Sequence, residues 1–351
     1  MIFPIFSYTF QIEAETCVSA SKSFMRFFMS NSIGLYIHIP FCKHKCPYCD
    51  FFSGNADENA FDNYVVVLKD KIKYWSEKAK RDVATVYFGG GTPTTLSAEQ
   101  LDTVLGTVNN SFDMSTCREF TVEAGRPDTI DIAKLFALKE NKVDRISINP
   151  QTVNDEVLKT IGRKHTAQQF FDAFELARKC GFDNINTDLI AGLPTDTPES
   201  FKNSLDSIVR LNAECITVHT LCMKRASRLT TEGVTLDLQQ ARDAREMLAY
   251  TQNILGQNEY IPYYMYRQSR MVGNLENVGW SKKGFESLYN VYVMDETHTI
   301  LACGSGGVTK LKRNNPDYLE RIFNFKYPYE YIDRFDELIQ RKSGIMQFYG
   351  Q

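Results

Sequence analysis

Through the first two thirds of this 351-residue chain, short β-branched or aromatic runs alternate with longer amphipathic stretches. Leu35 to Ile39, Thr85 to Phe88, Phe120 to Glu123, Arg145 to Asn149, Asn184 to Leu189 and Cys215 to Leu221 read as six strands. Helical periodicity fills the gaps, at Phe61 to Lys80, Ala98 to Asn109, Thr129 to Asn141, Asn154 to Ile161, Ala167 to Lys179 and Pro198 to Leu211. Crossovers of that length demand parallel strands. Six units are too few to close an eight-fold barrel, so the expected α/β fold is an open, partial (β/α)6 barrel. A doubly wound sheet is the alternative, and strand order decides between them.

Both architectures put chemistry at the carboxyl ends of the strands, and five successive strands deliver it there. A loop with Cys42, Cys46 and Cys49 follows strand one, and Gly89-Gly90-Gly91-Thr92-Pro93 follows strand two. Glu123 ends strand three, Gln151 follows strand four, and Asp188 lies near the end of strand five. Any one of these is an ordinary turn or cap, but five in register indicate a site.

C-x3-C-x2-C offers three soft ligands from a tight loop, one fewer than a closed tetrahedral zinc site takes. An iron-sulfur cluster held by three thiolates keeps one iron open to a further ligand. The competing readings are zinc completed by His44 or a distant cysteine, and ordinary buried cysteines; Lys43, His44 and Lys45 make the loop polar and accessible, which weighs against the second.

After about residue 225 the alternation gives way to a helical stretch, Leu236 to Leu255, then an aromatic, glycine-rich segment, Tyr260 to Gly307, and a tail, Tyr318 to Met346, that reads as helices. The expected organisation is a leader over residues 1–33, a barrel over 34–225, and an α+β accessory region over 226–351 that covers the barrel mouth. The net charge of −3 and the short basic cluster Lys78 to Arg81 give no case for nucleic acid or a polybasic membrane contact. No stretch approaches the roughly 18 apolar residues of a membrane span. Nine cysteines without paired spacing indicate thiols in a reducing compartment, the cytoplasm.

Tyr36-Ile37-His38-Ile39-Pro40-Phe41 leading into the cysteine loop, the Phe88 to Pro93 turn, and Arg145-Ile146-Ser147-Ile148-Asn149-Pro150-Gln151 leading to Ile161-Gly162-Arg163-Lys164-His165 resemble the radical S-adenosylmethionine (radical SAM) enzymes, and within them the oxygen-independent coproporphyrinogen III oxidases. The resemblance runs from about Gly34 to the 310s. Tyr263 to Gln268 and Gly273 to Gly279 look most like the HemZ type, the coproporphyrinogen dehydrogenases. It implies a [4Fe-4S] cluster on Cys42, Cys46 and Cys49, with the amine and carboxylate of S-adenosylmethionine on the fourth iron. Gly90, Gly91 and Thr92 would meet the methionyl group, Glu123 its ammonium, Arg163 its carboxylate, and Gln151 and Asp188 the ribose hydroxyls. Tyr48 would stack on adenine. Tyr36 and His219 fit the same pocket and fit core packing equally well.

The implied reaction begins with an electron from a donor such as flavodoxin or ferredoxin. A 5′-deoxyadenosyl radical takes a β-hydrogen from a propionate of the porphyrinogen, which loses carbon dioxide and an electron to leave a vinyl group. Lys224, Arg225, Arg228, Arg267 and Arg270 are candidate partners for the propionates, although exposed loop charges are as good a reading. The founding branch has a further cysteine where Phe51 stands here. The sister HemW branch shares the cluster motif but carries haem, which makes a haem chaperone the rival function.

Overall fold

Strand order settles the architecture. The computed structural model describes residues 32–49, 58–223, 227, 231, 238–314 and 317–345. Six strands, β1 (Ile33–Ile39), β2 (Val83–Gly90), β3 (Glu119–Glu123), β4 (Arg145–Ser147), β5 (Ile185–Ala191) and β6 (Cys215–Thr220), pair in parallel, each with the next in sequence. A doubly wound sheet would reverse direction at a switch point. Uninterrupted succession is the winding of a barrel, here a partial one.

The crossover helices are α1 (Glu58–Ala79), α2 (Ala98–Ser111), α3 (Ile132–Glu140), α4 (Asp155–Thr160), α5 (Ala167–Lys179) and α6 (Pro198–Arg210). Local sequence starts them cleanly. Ser97 and Gln100 form a reciprocal capping box on α2, Thr166 and Gln169 form another on α5, and Thr197 caps α6 ahead of Pro198. Leu101, Val104, Leu105 and Val108 of α2 share one buried cluster with the outward side chains Val86, Phe88, Phe120 and Val122. Each side chain so buried contributes about 1.5–3 kcal/mol.

The other set of alternate positions behaves differently. Strands in a fully covered parallel sheet are normally apolar on both faces, yet here Tyr36, His38, Tyr87, Thr121, Glu123, Arg145, Ser147, Asn186, Asp188, Thr217 and His219 recur at every second residue. The barrel therefore has an apolar outside and a polar lumen.

The accessory region extends both ends of the sheet. Beyond α7 (Leu238–Gln257), β7 (Ile261–Tyr266) and β8 (Asn277–Ser281) form an antiparallel pair whose inner member, β8, joins β6. At the other end β9 (Ile300–Cys303) runs parallel to β1, followed by β10 (Val308–Asn314) and β11 (Asp317–Phe323). The order is β11-β10-β9-β1-β2-β3-β4-β5-β6-β8-β7, and α8 (Leu288–Met294) packs against both β2 and β7. The expectation of a helical tail from Tyr318 is corrected: β11 pairs antiparallel with β10 along its whole length, and only then come α9 (Pro328–Asp333) and α10 (Phe335–Arg341). Charge and apolar residues mix in Asp317–Phe323 in a way that suits either state, and the non-local partner decides. Among the described residues no helix is long and apolar enough to cross a membrane.

Candidate functional site

The cysteine loop leaves the end of β1 and is tied to the glycine turn after β2 chiefly through backbone. Gly91 N–H donates to the Ile39 carbonyl at 2.8 Å, and Thr92 N–H to the Phe41 carbonyl at 2.7 Å. Only glycine allows this approach. A Cβ on Gly91 would stand 2.3 Å from the Phe41 carbonyl oxygen, and one on Gly90, where φ is +113°, would lie 2.8 Å from the His38 ring. Thr92 is buried, with its hydroxyl 3.3 Å from Cys42 Sγ.

Within the loop Cys46 is buried, Cys42 and Cys49 are half-buried, and Lys43, His44 and Lys45 are exposed. Cys46 Sγ accepts a hydrogen bond from Arg126 Nη2 at 3.1 Å. Among the described residues no three Cys, His, Asp or Glu side chains converge on the point a single ion would occupy. A four-iron cluster asks for something else, because each thiolate takes a different iron and the sulfurs surround a volume instead of meeting at a point. Three thiols on one loop, none of them in a disulfide, a buried Arg126 Nη1 without a partner and a side-chain-free glycine turn fit such a group. A cavity of about 480 Å³ opens beside the loop, lined by Cys42, Lys43, Phe61, Thr94, Asp128 and Lys134 among others.

Glu123 sits at the end of β3 facing Gly89 and Gly90. Tyr87 hydroxyl donates to its Oε1 at 2.7 Å. Burial lifts its carboxyl from 4.5 to about 7; the Tyr87 hydroxyl and the Gly90 N–H pull it back, while the Asp188 charge adds to the rise. Tyr87 stacks on Tyr289 of α8 at 4.3 Å, and Tyr36 lies against both rings with its hydroxyl 3.0 Å from His38 Nδ1. His38 is held neutral, its pKa lowered to about 4 by burial.

Asp188 and His219 face each other from β5 and β6, with His219 Nε2 3.6 Å from Asp188 Oδ2. Asn186 Nδ2 donates to Asp188 Oδ1 at 2.8 Å and to Ser147 Oγ at 2.7 Å, while Thr217 hydroxyl donates to Asn186 Oδ1 at 3.1 Å. Burial pushes the Asp188 carboxyl up, but His219 and Asn186 together bring it below the usual range. Gln151 joins through its backbone, its N–H donating to the Asp188 carbonyl at 2.9 Å in a left-handed conformation, φ +70°.

Arg163 reaches the far side of the cysteine loop. Its Nε donates to the Tyr48 hydroxyl at 3.2 Å and its Nη1 to the Gly125 carbonyl at 3.3 Å. Gly162, at φ +70°, lets Pro47 of the loop pack directly against the chain. One rim thus brings together the three cysteines, Tyr36, Tyr48, Gly90, Gly91, Thr92, Glu123, Gln151, Arg163, Asp188 and His219. Arg267 is engaged in an ion pair with Glu276; Lys224, Arg225, Arg228 and Phe51 lie outside the described residues.

Several residues at this rim escape the sequence reading. His38 and Tyr87 lie two positions from Tyr36 and Gly89, so strand alternation was the signal for them. Asn186 bears the same relation to Asp188. Arg126 and the buried His165, with both ring nitrogens unpartnered, come from turns for which no periodicity exists.

Comparison with known proteins agrees with this geometry. Residues 36–208 match the model of the radical SAM superfamily. The chain is 34% identical over 290 residues to the haem chaperone HemW of Lactococcus lactis, spanning 80% of this chain and 71% of that one. The chain belongs to the radical SAM superfamily. Within the superfamily it falls in the group of HemN, HemZ and HemW. It is 39% identical over 325 residues to the oxygen-independent coproporphyrinogen-III oxidase-like protein HemZ of Bacillus subtilis, covering 91% of this chain and 65% of that protein's length. The radical SAM coproporphyrinogen III oxidase HemN of Escherichia coli shares the fold, with a TM-score of 0.70 at 21% identity over 92% of this chain and 80% of HemN.

Proposed function

We propose that this protein is an oxygen-independent coproporphyrinogen III oxidase, converting propionate side chains of a porphyrinogen to vinyl groups in haem biosynthesis. The observation that carries the reading is the rim itself: a three-thiol loop, a glycine turn and two carboxylates of opposite tuning, all opening on a polar lumen. Likeness to HemZ over 91% of the chain supports the substrate. A [4Fe-4S] cluster on Cys42, Cys46 and Cys49 and S-adenosylmethionine beside it would supply the one-electron chemistry that removes hydrogen from an unactivated carbon.

The chain's own residues bind, orient and shield. Glu123, poised near neutrality, accepts the methionyl ammonium and gives up its proton as that charge arrives. Arg163 offers a planar fork to the carboxylate from its place against Tyr48, whose ring is set to stack on adenine. Asp188, kept ionised by His219 and Asn186, and Gln151 accept ribose hydroxyls. Gly90 and Gly91 admit the ligand backbone-close, and Thr92 steadies Cys42. Tyr36, Tyr87 and Tyr289 wall the lumen with stacked rings and keep water from the reacting carbon. Residues 226–351 would cover the mouth, and flavodoxin or ferredoxin would supply electrons in the cytoplasm.

Anaerobic incubation of iron- and sulfide-reconstituted protein with a low-potential reductant, S-adenosylmethionine and coproporphyrinogen III tests this. Protoporphyrinogen and 5′-deoxyadenosine, both lost in Cys46→Ala, are the expected products. 5′-Deoxyadenosine alone would mean another substrate. Neither product, with tight haem binding, would favour a chaperone, the reading that likeness to HemW over 71% of its length supports.

A further inference from the structure

Arg126 occupies a place that the proposed chemistry leaves without a task. Its side chain is 3% exposed, and Nη2 donates to Cys46 Sγ at 3.1 Å while Nη1, equally buried, has no partner. A buried guanidinium that is not fully paired is costly, and chains retain one where its charge does something. The backbone around it is pinned. Arg126 carbonyl accepts from Thr129 N–H at 3.0 Å and from Thr129 hydroxyl at 2.8 Å, closing the Pro127–Thr129 turn. That hydroxyl in turn lies 2.7 Å from Thr94 Oγ1, and Lys134 Nζ donates to the carbonyls of both threonines. The guanidinium is thus delivered from a rigid turn to the most buried of the three sulfurs.

We infer that Arg126 is a positioning residue that sets the reduction potential of the iron-sulfur cluster through the Cys46 sulfur. The inference rests on the reading of Cys42, Cys46 and Cys49 as cluster ligands. Its physical basis is that a cationic N–H donor on a ligating sulfur stabilises the added electron, so the reduced state gains more than the oxidised one. Arg163, bonded to Tyr48 and Gly125, touches the loop but not a sulfur. Arg126 therefore acts on the electron affinity of the centre, whereas Arg163 acts on the loop and the bound ligand.

The test is an EPR-monitored redox titration of anaerobically reconstituted full-length protein, parent against Arg126→Met, Arg126→Gln and Arg126→Lys, with iron and sulfide counted in each. For Arg126→Met we expect the equilibrium constant for reduction to fall about tenfold, a negative shift of 59 mV for one electron. Arg126→Lys, which keeps the charge but not the fork, should lie between, and Arg126→Gln near Met. Equal potentials at equal cluster content would overturn the inference while leaving the cluster reading intact. Loss of the cluster in all three variants would also overturn it, making Arg126 a prop for the loop. A parent protein that assembles no four-iron cluster would instead defeat the reading on which it rests.

Discussion

Burial lifts the Glu123 carboxyl to about 7, so the ligand-free protein carries this group half protonated near neutrality while an unfolded chain ionises it above about 4.5. The folded state then holds a proton that the unfolded state has lost, and stability from this group declines as pH rises from about 4.5 to 7 and is level beyond. Thermal unfolding of ligand-free protein between pH 5 and 8 should show that decline, and Glu123→Gln should flatten it. S-adenosylmethionine binding should release about half a proton at pH 7 in the parent and none in the variant, which calorimetry in two buffers of different ionisation enthalpy reads. Gly91 makes a sharper case. Gly91→Ala sets a Cβ against the Phe41 backbone, which cannot swing away, and should cost about 3 kcal/mol or more. Gly125→Ala, whose Cβ meets nothing within 4 Å, should stay within about 0.5 kcal/mol; denaturant midpoints compare the two. The glycines and Glu123 were legible because they follow strands in register. Arg126 was not, since an arginine before Pro127 in a short turn has no neighbour in sequence that reveals a thiol across the fold.

Secondary-structure elements carry the next layer of constraint, and α8 shows how. Seven residues long, it packs between β2 and β7 with its first turn set on Glu119 of β3, which accepts from Ser287 Oγ at 2.9 Å and from Leu288 N–H. Glu119 is 5% exposed, so Glu119→Ala leaves those donors buried and unmatched and should cost about 1–3 kcal/mol, more than Glu119→Gln, which keeps an acceptor. Urea unfolding of the two variants checks the order. Equal losses would mean that α8 is held by its tyrosines alone. The six parallel strands and their helices were readable because periods of 2 and 3.6 alternate without interruption and caps such as Ser97 and Thr166 mark the starts. β11 was not readable, because its state depends on β10, and α8 reads as one more aromatic run until β2 and β7 are in place.

Across the molecule, the sheet is finished at both ends by late parts of the chain. Gly34 to Ile37 pair with Ile300 to Cys303, and Tyr64 hydroxyl donates to the His38 carbonyl while accepting from Ser305 N–H. Removing residues 295–351 should strip β1 of that neighbour and leave an open edge. We expect the truncated protein to aggregate or lose cooperative melting, measured by size-exclusion chromatography and circular dichroism. A monomer with a sharp transition would show that β1 to β8 fold without that flank. The same pairing has a consequence for how the protein is made. On a ribosome β1 and its cysteine loop emerge more than 200 residues before β9, the strand that pairs with the other side of β1. Closing that long loop of chain is a slow, entropically expensive step. Until β9 is made, the cysteine loop hangs from a strand paired on at most one side, so the proposed cluster would find its thiols most open before β9 docks.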